Sequence, residues 1–422
     1  MRCKAKTFAV TVFIALIYPS LSVGQEFTWP QWRGPLRDDV SLETNLLTTW
    51  PEAGPGRLWL FENAGVGYSG ISVVKDRLYT MGSRNGKEEL ICLDSQTGQE
   101  IWATPVSDEF DNKWGNGPRS TPTVDGDFVY TLSASGTVLC ANRIDGSAQW
   151  SISLIDFGGE VPGWGYTESV LIEGDQLICT PGGPQGTLLA LNKTDGTRVW
   201  QSTEFTEPAH YASIIAADMH GQRQLIQVTE KSVVGVAADS GKLLWKTDWP
   251  GAVAVISTPV YRDGHVYVTS SYSAGCNVFQ ISPDNQVTPK YDEKAQKMMK
   301  NHHGGVVLVG DSIFGYSDGV GWLCQDFLSG EVKWRARDEF GKGAITAANG
   351  QLVLVSESEG EVALVDAATD GWHEHGRFKL DPQTKLRKPD GRIWVHPVVV
   401  NGKLYLRDQD LIYCYNVSNG TE

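Results

Sequence analysis

A tryptophan returns along this chain at a nearly constant interval, each time just after a glycine turn. The segments LICLDSQTGQEIW, LCANRIDGSAQW, LLALNKTDGTRVW, VVGVAADSGKLLW and WLCQDFLSGEVKW close on Trp102, Trp150, Trp200, Trp245 and Trp334. Weaker copies close on Tyr291 and Phe378. The steps between these positions are 48, 50, 45, 46, 43 and 44 residues. Strand-rich units of that length stack radially, because one unit alone cannot bury its apolar face. The recurring indoles therefore read as packing wedges rather than chemistry, and removing one would cost about 3–5 kcal/mol.

Residues 120–150 show one unit in full. Thr123 and Val124, an Asp125-Gly126 turn and Phe128 to Leu132 read as a hairpin, since Asp-Gly supplies the positive φ that a tight turn requires. Ser135-Gly136 turns into Val138 to Ala141, and Asp145-Gly146 turns into a short strand ending on Trp150. Four strands joined by three tight turns make one propeller blade. Equivalent first turns stand at Gly174, Gly264, Gly310, Gly350 and Gly402.

The last unit, HPVVVNGKLYLRDQDLIYCYNVS, has three strands and no closing aromatic, whereas Arg57 to Phe61 is a lone closing strand with no unit before it. Pairing the two predicts an eighth blade that sews the ring shut and removes exposed sheet edges. The expectation is an all-β, eight-bladed β-propeller of four-stranded antiparallel blades over residues 57–418. A lead-in segment occupies 25–56 and a tail 419–422. Seven blades would follow if the weak fourth or fifth copy were misread.

Residues 1–24 read as a secretory signal: Arg2, Lys4 and Lys6 precede an apolar run from Phe8 to Tyr18, then Pro19 and small residues up to Gly24. No later stretch approaches the length of a transmembrane helix. An exported protein, periplasmic or extracellular, is predicted. The chain carries 36 basic and 50 acidic residues, a net charge of −14 that loss of the signal deepens. Such a shell argues against nucleic acid or anionic lipid as partner. Beyond Cys3, the cysteines Cys92, Cys140, Cys324 and Cys414 share one slot, where other units place Ala190, Gly235 or Leu364. That is a small apolar core position, although the even count of exported cysteines leaves a disulfide open.

In a propeller, the links from each outermost strand to the next innermost strand open on one face around a central funnel. Here they carry Trp114, Asn116 and Arg119; Trp164, Tyr166 and Glu168; His210 and Tyr211; Ser257; His302 and His303; Lys342; Trp394 and His396. Arg119 and the four histidines stand before blades two, four, six and eight, pointing inward from four quarters of the ring. Converging imidazole, guanidinium, carboxylate and indole groups form the default ligand site. Arg119, Lys342 and the histidines would hold an anionic group, with Trp114, Trp164 and Trp394 offering stacking area. No metal is assigned, since zinc needs ligands at about 2.0–2.1 Å and His302 and His303, as strand neighbours, would face opposite ways. The GxSxG match at Gly315 to Gly319 lies in a hairpin with no helix after it, unlike a nucleophile elbow.

The pattern L-x-x-L-D-x-x-T-G-x-x-x-W resembles the repeat of pyrroloquinoline-quinone (PQQ) dehydrogenases and of BamB-type outer-membrane assembly lipoproteins, both eight-bladed. WPQWRGP at 29–35 resembles the opening of exported PQQ-like propellers of planctomycete-type bacteria. The resemblance covers about residues 29–418. The first likeness implies PQQ bound with Ca2+ and oxidation of alcohols or sugars, with Glu168 and Asn116 as the calcium ligands. The chain has no Cys-Cys pair for those enzymes' vicinal disulfide. The second implies a protein-assembly scaffold, here without a lipoprotein cysteine, because Cys3 precedes the apolar run. Fold alone does not fix activity. The favoured reading is an exported, monomeric binding scaffold whose cationic funnel takes a small anionic molecule, a peptide or an envelope protein. A PQQ-dependent dehydrogenase is the alternative and an assembly scaffold the third.

Overall fold

The computed structural model describes residues 27–420; the expected signal segment and the last two residues of the expected tail lie outside them. The described residues form eight sheets, each a four-stranded antiparallel meander, one of which carries a fifth strand. In the second blade the strands are Thr123–Asp125, Phe128–Leu132, Thr137–Asn142 and Ala148–Ser153. The first seven blades follow one another at 72–108, 123–153, 171–201, 215–248, 260–289, 306–336 and 343–379. The eighth joins Val398–Val400, Lys403–Asp408 and Leu411–Asn416 to Arg57–Phe61, with Trp59 opposite Cys414. Among the described residues helical turns are confined to two links, Leu154–Phe157 and Glu293–Gln296. Among the described residues no helix is long and apolar enough to cross a membrane.

The sequence rhythm has a physical cause in the contact between neighbouring blades. In the first four blades and the sixth, the third-turn glycine lies under the closing aromatic of the blade before it. A Cβ on Gly146 would come within 2.6 Å of the Trp102 ring, and one on Gly98 within 2.6 Å of Trp59. Both glycines also hold positive φ, 73° and 71°, so no other residue serves both needs at once. The indole nitrogens complete the joint: Trp150 donates to Lys193 O at 3.0 Å and Trp334 to Ala368 O at 2.8 Å, both in the next blade's third turn. All six described cysteines are buried and free, so the disulfide left open by their number is not formed.

Ring closure is reinforced from inside. Arg407 of the eighth blade is fully buried and donates to Ser69 O, Met81 O and Gly65 O around the first blade. Burial of a guanidinium costs several kcal/mol unless its donors are met, and here backbone carbonyls meet them.

The central channel is filled by the lead-in segment, which reaches every blade. Trp29 pairs with Val73 of the first blade and Pro30 O accepts from Val124 N of the second. Arg37 donates to Val170 O and Ile214 O at the starts of the third and fourth. Trp32 Nε1 donates to Thr258 Oγ1 before the fifth at 2.9 Å, and Arg33 donates to Val306 O of the sixth at 2.6 Å. Val40–Ser41 runs parallel to the inner strand of the seventh as its fifth strand. Asp39 lies 2.8 Å from His396 before the eighth. Arg33 and Asp39, 3.3 Å apart and buried, compensate one another.

Candidate functional site

Antiparallel meanders put the first and third turns of every blade at one end, and the second turns and interblade links at the other. The links therefore gather on one face, and at its centre lies a recess of about 210 Å³. Trp32 of the lead-in segment contributes to its lining.

One wall is a continuous run of rings. The Arg119 guanidinium lies over Phe110 at 4.9 Å and Tyr68 at 5.8 Å. Tyr68 tilts against Trp394 at 5.0 Å, and Trp394 stacks on His303 at 4.4 Å and 21°. His303 adjoins His302 at 3.8 Å, and His302 meets the edge of Tyr272 at 5.1 Å. Trp164 and Tyr211, 5.4 Å apart, supply another part of the lining. The Tyr68 hydroxyl donates to Trp114 O at 2.7 Å, which fixes the Trp114 loop at the rim. Two of the hydroxyls here are engaged: Thr167 donates to Tyr211 O, and Ser213 Oγ accepts from Ser169 N.

Of the residues expected in the funnel, Trp114, Arg119, Trp164, Tyr211, His302, His303 and Trp394 line the recess. The others stand outside its lining. Asn116 donates to Glu109 at 2.8 Å and accepts from Lys388 at 2.6 Å. The Tyr166 hydroxyl donates to Pro181 O in the interior. Glu168 is buried beside Thr180, with its Oε1 left without a hydrogen-bond partner. His210 Nδ1 accepts from Val255 N at 2.9 Å, which spends it on the neighbouring link. Ser257 donates to Asn301 at 2.7 Å. His396 is turned down to Asp39 and to His303 O.

The expected convergence of cations is corrected by these contacts. Lys342 is 2.7 Å from Asp318 and donates to His302 Nδ1 at 3.0 Å, so its charge is already met. Burial and the nearby ammonium lower His302 to about 4, and burial with His302 and Lys342 takes His303 well below the ordinary imidazole value. Both rings are neutral near pH 7. Arg119, lowered by burial only to about 10, remains a cation. The histidine pair also departs from expectation. It stands in a link rather than a strand, so the two rings lie side by side instead of on opposite faces.

A calcium-bound quinone was implied by resemblance, and the donor set does not fit it. Ca2+ takes six to eight oxygen ligands. Asn116 is spent at the rim and Glu168 lies sealed beneath the links, with its pKa raised to about 8 by burial. Among the described residues no group of three or more His, Cys, Asp or Glu is placed to hold a metal.

Sequence reasoning missed Trp32, Tyr68 and Tyr272. The tryptophans of WPQWRGP were the available signal for the first; Tyr272 sits in a second-turn hairpin, which the link-by-link reading passed over.

A family model described as outer membrane protein assembly factor BamB matches residues 51–154 and 86–323, together more than half of the chain. The BamB of Yersinia pestis is 26% identical over 187 residues, 42% of this chain and 45% of its own length. That of Escherichia coli strain K12 is 30% identical over 110 residues, 25% of this chain and 26% of its own. The chain thus matches less than half the length of these curated relatives. Among solved structures, BamB from Moraxella catarrhalis has a TM-score of 0.61 at 15% identity, over 86% of this chain and 99% of that one. Quinohemoprotein alcohol dehydrogenase from Comamonas testosteroni also scores 0.61, at 10% identity over 94% and 81%. At such identities the likeness is one of fold.

Proposed function

This chain belongs to the family of outer membrane protein assembly factor BamB, and from that premise we propose that it is an exported, non-catalytic binding scaffold whose link face holds a segment of an envelope protein. The observation that carries this reading is an aromatic recess on a face that also presents exposed apolar side chains. Ile155, Val161, Val253, Tyr272 and Leu386 are all exposed on links or second turns, Val253 at 54% and Tyr272 at 45%. Exposed apolar positions on the face that holds a concavity mark an interaction site. The engaged Thr167 and Ser213 hydroxyls and the neutral imidazoles, with His303 stacked on Trp394, favour holding an occupant over transforming it.

Photo-cross-linking tests the reading. A cross-linking amino acid at Val253 or Tyr272 should trap a discrete envelope protein, whereas one at Ile144 or Leu328, exposed on third turns at the opposite end, should not. Equal trapping from both ends, or trapping from the third turns alone, would refute the proposed face.

A further inference from the structure

The recess selects a particular kind of occupant. Its lining is rich in ring faces, with Trp394 stacked on His303 and Trp164 tilted against Tyr211. Such walls favour a flat ring that can stack or meet them edge-on. The volume of about 210 Å³ suits one small ring system.

Charge enters from Arg119. Its guanidinium donates to Gly115 O and Gly117 O and rests on Phe110 and Tyr68, but it makes no salt bridge among the described residues. Lys342, by contrast, is already paired with Asp318. An independent sign comes from His303, which lines the recess and whose buried Nδ1 has no hydrogen-bond partner. A buried polar atom left unpartnered is rare in folded proteins and calls for a partner.

Building on the scaffold reading, we propose that the recess recognises a flat aryl group bearing a single carboxylate. The ring lies against Trp164, Tyr211 and Trp394, and the carboxylate is met by Arg119; His303 Nδ1, two rings further along the wall, is a second polar contact for the occupant. That chemistry has two sources: a free aromatic acid, or adjacent acidic and aromatic side chains on a bound segment.

Calorimetric titration of the intact protein with 2-naphthoate, 2-naphthamide and cyclohexanecarboxylate tests this. Naphthoate should bind at one site per chain, at least about tenfold tighter than either of the others, because a charge-assisted contact and ring stacking each add to affinity. Equal binding of the amide would overturn the anionic half, and equal binding of the alicyclic acid the aromatic half. No saturable binding by any acid would overturn the whole. Arg119→Leu should erase the preference for acid over amide. Arg119 also braces the Gly115–Gly117 backbone, so the acid–amide comparison on unaltered protein stands by itself if that variant does not fold. Displacement of naphthoate by a short Glu-Trp peptide would identify side chains as the source; binding of naphthoate without such displacement would identify a free acid. Cross-links at Val253 without naphthoate binding would sink this inference alone, and naphthoate binding without cross-links would sink only the scaffold reading.

Discussion

At the scale of single residues, burial sets opposing pH dependences within the same molecule. His302 titrates at about 4 in the fold and near 6.5 in an unfolded chain. Between those values the unfolded chain binds a proton that the buried ring refuses, so stability falls as pH drops through that window. His303, lowered further, adds to the same slope. Thermal unfolding should show Tm decreasing from pH 7 to pH 5, and His302→Gln should lose part of that decrease. Glu168 acts the other way. Its carboxyl, raised by burial to about 8 from the ordinary 4.5, keeps a proton that the unfolded chain releases, so its contribution falls as pH rises across that range. Glu168→Gln should therefore raise Tm more at pH 8 than at pH 5. Which link each of these residues occupies was legible from the repeat, and Arg119, Trp164, His303 and Trp394 lie on links that line the recess. Where a side chain turns was not legible. His396 and His210 point where Asp39 and Val255 N await them, partners far off in sequence.

At the scale of elements, the third turn and the lead-in segment set the geometry of the ring. Gly126 and Gly146 both hold positive φ, but a Cβ on Gly126 meets nothing within 4 Å, whereas one on Gly146 meets Trp102. Chemical denaturation should therefore show Gly146→Ala costing about 1–3 kcal/mol more than Gly126→Ala, the usual penalty of overpacking. Strands and turns like these were legible because their determinants are local: turn glycines, alternation and the closing aromatic. The lead-in segment was not, since its hydrogen bonds run to carbonyls such as Val170 O, Ile214 O and Val306 O, which no local pattern announces. Arg37→Met leaves Ser169, Val170 and Ile214 carbonyls without that donor. It should cost about 3–5 kcal/mol, as breaking a buried charged network does, read from the urea midpoint.

At the scale of the whole molecule, repeat proteins ordinarily couple only neighbouring units, yet here one segment touches every blade. Calorimetry should show a single unfolding transition, which the double variant Arg33→Met with Arg37→Met broadens or splits. Loading the purified protein with quinone and Ca2+ should give no dye reduction across alcohols and sugars, because Asn116 is committed at the rim and Glu168 is buried and holds its proton near pH 7. The axial position of residues 29–41 has one more consequence. A toroid with an open hole could let a guest slip through from end to end, but this hole is stoppered by the chain itself. Whatever visits must arrive and depart by the same doorway, and its dwell time is governed by that doorway alone.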